Sequence, residues 1–133
     1  QALTPAQVAD IIEDEGFTWT GAHNFANRVR WSNSAPFTLS GNTDNLAIGA
    51  VNVVRIVGNT FTLSGMVPDA DDHLVWLQNA DAADTLVLDH DNSSTAANGF
   101  YLPNNVDYTL QPRSSVWARY DGSSDRWFIG VGA

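Results

Sequence analysis

The chain has 133 residues, no cysteine and a net charge of -9, and all six of its basic residues are arginine. That length fits one domain with a core of its own, without disulfide, thiolate or lysine Schiff-base chemistry. So acidic a surface repels phosphate backbones, which argues against nucleic acid as a partner, and no apolar run approaches the roughly eighteen residues of a membrane span.

Residues 1–16 carry the signals of a short helix. Thr4 stands as N-cap, Pro5 takes the first helical position and Gln7 completes a capping box. Val8, Ile11 and Ile12 form a stripe at helical spacing, and Gly16 supplies a stop. Glu13, Asp14 and Glu15 crowd the end that the macrodipole makes unfavourable for negative charge. So short a helix needs a packing partner, either the chain's own β-domain or copies of itself. The chain opens on Gln rather than Met and without a signal peptide, which suggests a processed or excised chain.

Residues 17–35 read as an extended linker and oligomerisation segment, alternating aromatic and polar residues from Phe17 to Phe25. With Val8, Ile11 and Ile12, Trp19 and Phe25 are the expected oligomer interface. His23 has no carboxylate or cysteine nearby and reads as structural.

From residue 36 to 133 the chain is β. Phe37-Thr-Leu-Ser-Gly41 recurs as Phe61-Thr-Leu-Ser-Gly65, two copies being too few to establish a solenoid. Val51–Val57 is the most β-branched stretch, and Gly58-Asn59 after it predicts a hairpin with Thr60–Ser64. Between Leu74 and Phe128, apolar bursts alternate with clusters of Asn, Asp, Ser, Gly and Pro, the punctuation of consecutive strands. A five-residue loop over Asp121–Asp125 would set Tyr120 opposite Arg126 and Arg119 beside Trp127. Trp117, Arg119, Trp127 and Ile129 would then share one face, with Val116, Ala118, Tyr120, Arg126 and Phe128 on the other. Both faces would be apolar and covered, one by a partner sheet and one by another copy of the chain. The expected fold is a mainly β, antiparallel β-sandwich of jelly-roll type with a short N-terminal helix.

Two acidic clusters stand out, Asp69, Asp71, Asp72 and His73, then Asp89, His90, Asp91 and Asn92. Asp89, His90 and Asp91 are weak metal-ligand candidates, because carboxylates and imidazole suit zinc or iron. No bidentate Glu completes a calcium loop, and solvated turns explain both clusters more simply. Asp and His beside Ser93 or Ser94 lack the context of a nucleophile elbow, the only glutamates lie on the helix, and no phosphate-binding glycine motif is present. The expectation is therefore no catalysis, no cofactor and no metal. Five tryptophans raise sugar binding. Trp76, Trp117 and Trp127 are mid-strand, where burial is the default, whereas Trp19 and Trp31 are better placed for exposure.

The order of Leu77, Asn79, Leu86, Leu88, His90, Thr95, Ala96, Ala97, Asn98, Leu110, Pro112, Tyr120, Asp121 and Trp127 resembles a β-module of bacteriophage tail-fibre and other virion surface proteins. Thr20-Gly21-Ala22-His23-Asn24-Phe25 is similar to punctuation met in phage fibre shafts. One departure is Gly99, where the module usually has arginine. The resemblance implies a virion protein, a homotrimeric tail-fibre or spike tip that meets other virion proteins and attaches to a host receptor, with a surface glycan as one form of it. A capsid decoration or head-fibre protein is the alternative within the virion, and a monomeric carbohydrate-binding module the alternative outside it. Neither nucleic-acid binding nor membrane insertion is expected.

Overall fold

A computed structural model of the chain describes residues 2, 4, 33, 35–90 and 94–131. The chain forms two compact units, 1–30 and 31–133, and every described strand belongs to the second. The body of the predicted helix, most of the segment 17–35, and Val8, Ile11, Ile12, Trp19 and Phe25 lie outside the described residues.

The strands wind as a β-solenoid of about four turns, with mixed sheets, and this overturns the antiparallel sandwich. The first rung runs from β1 (Phe37–Leu39) past Thr43 to β2 (Leu46–Ala47). The second takes β3 (Val53–Gly58), β4 (Phe61–Leu63) and β5 (Met66–Val67). The third takes β6 (Leu74–Asn79) and β7 (Leu86–Leu88) and reaches His90. Each strand lies parallel on its counterpart in the next rung, Phe37 beside Ile56, Leu46 beside Met66, Val53 beside Trp76 and Phe61 beside Leu86. An advance of roughly twenty to twenty-five residues per rung is the period of a solenoid.

The chain then turns back through a 3-10 turn at Ala96–Asn98, β8 (Phe100–Tyr101) and a second such turn at Pro103–Asn105. β9 (Tyr108–Leu110) and β10 (Ser115–Asp121) lie antiparallel on β7 and β6 and cap the third rung. β11 (Arg126–Gly130) folds antiparallel onto β10, with β8 parallel beside it. Among the described residues three sheets result, β1-β3-β6-β10-β11-β8, β4-β7-β9 and β2-β5.

Register stacks like on like in the core. Val54, Leu77 and Val116 form one buried row, and Val75, Ala118 and Ile129 another. Leu63 meets Leu88, and Leu86 meets Leu110, on the second side. Each such burial contributes about 1.5–3 kcal/mol before chain entropy is charged against it. Trp127 is fully buried, packs its ring 5.4 Å from that of Tyr120 and 5.5 Å from that of His73, and donates its indole N–H to the carbonyl of Met66 at 2.7 Å.

The corners are polar and satisfied. Buried Asn79 shares the two hydrogens of Nδ2 among the carbonyls of Asp84, Leu110 and Gln111 at 2.8, 3.1 and 3.2 Å, and its Oδ1 accepts from the N–H of Asp81. At the next corner a relay runs from the Asn45 N–H to Ser94 Oγ, on to buried Ser64 Oγ at 2.6 Å, and on to Asp44 at 2.6 Å. Its direction follows because the carboxylate only accepts. Asn45 Oδ1 also accepts from Thr95 N–H, Thr95 Oγ1 and Asn98 Nδ2, docking the loop that starts at Ser94. Gly99, standing where the resembled module has arginine, pairs its backbone with Gly65.

Two strand expectations fail, the Gly58-Asn59 hairpin and the five-residue β10–β11 loop, and the pentapeptide repeat does not follow the winding. Gly58-Asn59 turns a corner between two sheets instead of closing a hairpin, so β3 and β4 never pair. Gly58 stands at φ 139°, far from the roughly 60° at which a glycine opens a two-residue type II′ turn. The repeated pentapeptide does not mark the rung period, since Phe37–Leu39 lies in the six-stranded sheet and Phe61–Leu63 in the three-stranded one. The β10–β11 loop holds four residues rather than five, because Asp125 reverses the chain at φ 52°. Tyr120 therefore faces Trp127, and Arg119 faces Phe128. A slip of one residue exchanges the faces. Val116, Ala118, Tyr120, Trp127 and Ile129 point inward, while Trp117, Arg119 and Phe128 are exposed. The alternation is clean, so the argument from two covered faces no longer holds.

Asn79→Ala should lower stability by about 3 kcal/mol, since it strands up to three carbonyls at one corner. Gly58→Ala should cost at least about 2 kcal/mol, because its Cβ would lie 2.6 Å from the Leu39 carbonyl oxygen. Urea titrations of the two variants check both values.

Candidate binding site

The outward face of β3, β6 and β10 carries two parallel rows that the register assembles from distant sequence. Val53, Trp76 and Trp117 form the first, and Arg55, Gln78 and Ser115 the second. Same-face neighbours along a strand stand about 6.6 Å apart, twice the strand rise, so the rows are adjacent.

The aromatic row is partly exposed. The Trp76 and Trp117 rings lie 4.4 Å apart at 54°, and Trp117 is 38 % exposed. With Val53 and Gln78 they line a depression of about 300 Å³. Trp76 Nε1 is buried and has no hydrogen-bond partner among the described residues, an unusual state for an indole N–H.

The second row leads into a polar depression of about 260 Å³, lined by Arg55, Gln78, Arg113, Ser114 and Ser115 but by no carboxylate. Gln78 borders both depressions, which lie side by side and are together called the groove. Two of the chain's six arginines meet here on a protein of net charge -9. Their guanidinium groups have no hydrogen-bond or ion-pair partner among the described residues. Arg119 instead pairs with Asp72 on the surface, and Arg126 lies 5.2 Å over the Tyr101 ring. Arg113 also sits at φ 57°, where glycine or asparagine is more at ease.

The residues singled out from sequence are mostly committed to the backbone. His90 Nδ1 accepts from the Leu102 N–H at 3.0 Å, and the ring stacks on Tyr101. The His90 backbone N–H donates to Asp107, Asp89 is buried, and Asp91 lies outside the described residues. His73 Nδ1 accepts from Asp69 N–H, which leaves Nε2–H to donate to the Val51 carbonyl at 2.7 Å. Asp71 packs against Gly122, and Ser94 belongs to the relay with Ser64. Among the described residues no three His, Cys, Asp or Glu side chains gather as a metal site. Trp19 and Trp31, expected to be exposed, lie outside the described residues, whereas Trp117, expected to be buried, is exposed. Arg55, Gln78, Arg113 and Ser115 were not singled out from sequence. Their only signal is that V-x-R, W-x-Q and S-x-W share one alternation, which means nothing until the register is known.

Among the described residues three groups have shifted titrations. The backbone N–H groups of Ala83, Asp84 and Gly58 hold the Asp81 carboxyl below its usual range, and the Ser124 hydroxyl does the same for Asp121. Burial, then the nearby Asp125 carboxylate, push the Tyr120 phenol up.

No protein-family model matches this chain, and no curated protein or solved structure does so either.

Both depressed carboxyls add stability that is present above the free-aspartate value of 3.8 and lost as pH falls through their folded values. The raised phenol adds stability that is complete below 10.0 and lost as pH climbs past it. Urea midpoints measured against pH should therefore fall at both ends, with a flatter acid limb in Asp81→Asn and a flatter alkaline limb in Tyr120→Phe.

Proposed function

We propose that this chain is a non-catalytic attachment module of a bacteriophage virion, the tip of a tail fibre or spike. It assembles as a homotrimer through its N-terminal segment and meets a host-surface glycan with the indole row of its six-stranded sheet. The observation that carries the reading is the Val53–Trp76–Trp117 row beside Arg55–Gln78–Ser115. Apolar faces for sugar rings and uncommitted donors for hydroxyls sit side by side on hydrogen-bonded strands that hold them rigidly. The commitment of His73, His90, Asp81 and Asp121 to turn and backbone contacts favours binding over catalysis. The trimer rests on sequence, on the stripe Val8, Ile11 and Ile12 with Trp19 and Phe25, and on the resemblance to fibre proteins.

A monomeric carbohydrate-binding module is the second reading, favoured by the same indole row, which needs no partner copy. Light scattering coupled to size exclusion separates the two. Three chains per particle are expected for the whole chain and one after deletion of residues 1–16, and a monomer in both forms refutes the trimer. On a glycan array the whole chain should bind, with affinity at least tenfold lower for Trp117→Ala, a loss of about 1.4 kcal/mol. Silence across bacterial surface sugars counts against attachment.

A further inference from the structure

We infer that the saccharide taken by this face is acidic: one sugar ring lies on the Trp76–Trp117 row while its carboxylate is held by Arg55 and Arg113. The inference rests on the glycan reading and adds the charge of the ligand to it. The polar depression offers two guanidinium forks, the Gln78 amide and the Ser115 hydroxyl, and no carboxylate lines it. A guanidinium matches a carboxylate in a planar, two-bond geometry that a lone hydroxyl does not fill. Neither Arg55 nor Arg113 has a carboxylate partner among the described residues, although the chain has fifteen acidic residues to offer. The adjacent rows set the aromatic row and the cationic row about 6.6 Å apart, so one pyranose ring and its acid group span both.

The global charge narrows the class further. A chain of net charge -9 repels a polyanion along its whole length, whereas one carboxylate among neutral hydroxyls feels mainly the two nearby arginines, within a Debye length of about 10 Å. A sparsely charged glycan therefore fits, and a nucleic acid or a densely sulfated chain does not. Arg113 adds an independent sign. It holds a left-handed backbone position where an arginine is strained, and its side chain lines the groove.

The test uses the whole chain and oligosaccharides bearing sialic acid, glucuronate or galacturonate, each paired with an analogue whose carboxyl is reduced to an alcohol. Calorimetry should show the acidic member binding at least tenfold tighter at 50 mM salt, with the gap closing towards 0.5 M. Arg113→Gly should erase the gap with a Tm equal to or above that of the parent, because glycine relieves the backbone. Arg55→Gln should erase it as well, and Trp117→Ala should weaken both members of a pair. Equal binding of acidic and neutral members overturns the inference and leaves the glycan face standing. A preference that survives both arginine substitutions also overturns it, because the charge is then read elsewhere. Acetate or sulfate alone binding as tightly as the acidic saccharide reduces the site to a simple anion site. No binding by any member of the panel sinks this inference and the glycan reading together.

Discussion

A solenoid must turn its chain at every corner without leaving buried backbone groups unpaired, and in this one the demand is heaviest at Asn79. Its amide points inward from the end of β6, where the row above it is Phe37 and Ile56, and an apolar residue there would continue the core. Instead it gathers carbonyls from two segments, the turn at Asp84 and the end of β9 at Leu110 and Gln111. One side chain therefore shapes the corner and fixes the antiparallel cap against it. Asp81 extends the clasp down to the second rung through the Gly58 N–H, so three consecutive levels are joined by polar contacts at one edge.

The stacking that corner secures also produces the outward face. In a parallel solenoid the inward and outward rows share one register, so whatever aligns Val54 with Leu77 and Val116 must align Arg55 with Gln78 and Ser115. The groove is thus a by-product of core packing, and its residues are held by ladder hydrogen bonds rather than by loops. That rigidity lowers the entropic cost of ordering a ligand on it.

Much of the strand content was legible in the sequence, and little of its pairing was. Val53–Gly58, Leu74–Asn79 and Leu86–Leu88 show as apolar bursts because burial of alternate residues writes itself into composition. Their parallel stacking does not, because partners some twenty residues apart carry no local mark, and Gly58-Asn59 resembles a hairpin turn closely enough to suggest the wrong neighbour. The inward and outward sides of β10 and β11 hinged on one loop residue, Asp125, whose left-handed backbone is not written in its identity. Asn79, His90 and Asn98, noticed for their order in the chain, are joints of the fold, holding a corner, the Leu102 backbone and the loop docked on Asn45. The groove was illegible for the same reason as the pairing: Arg55 and Arg113 are 58 positions apart and meet only after three rungs have closed.

The two ends of the solenoid are managed differently. At one end β9 and β10 reverse direction and cover the third rung, so the parallel stack cannot continue. At the other, β1 and β2 have no further neighbour among the described residues. A long parallel edge is a template for unwanted pairing, and shortness is a common defence. β1 has three residues and β2 two, and Pro36, which has no N–H to offer a ladder, stands directly before β1. Net charge adds a second barrier, since two copies meeting edge to edge bring -9 against -9. Any self-assembly of this chain therefore has to be driven by a surface whose apolar contacts outweigh that repulsion, and a strand edge of three residues and two is too small to supply them.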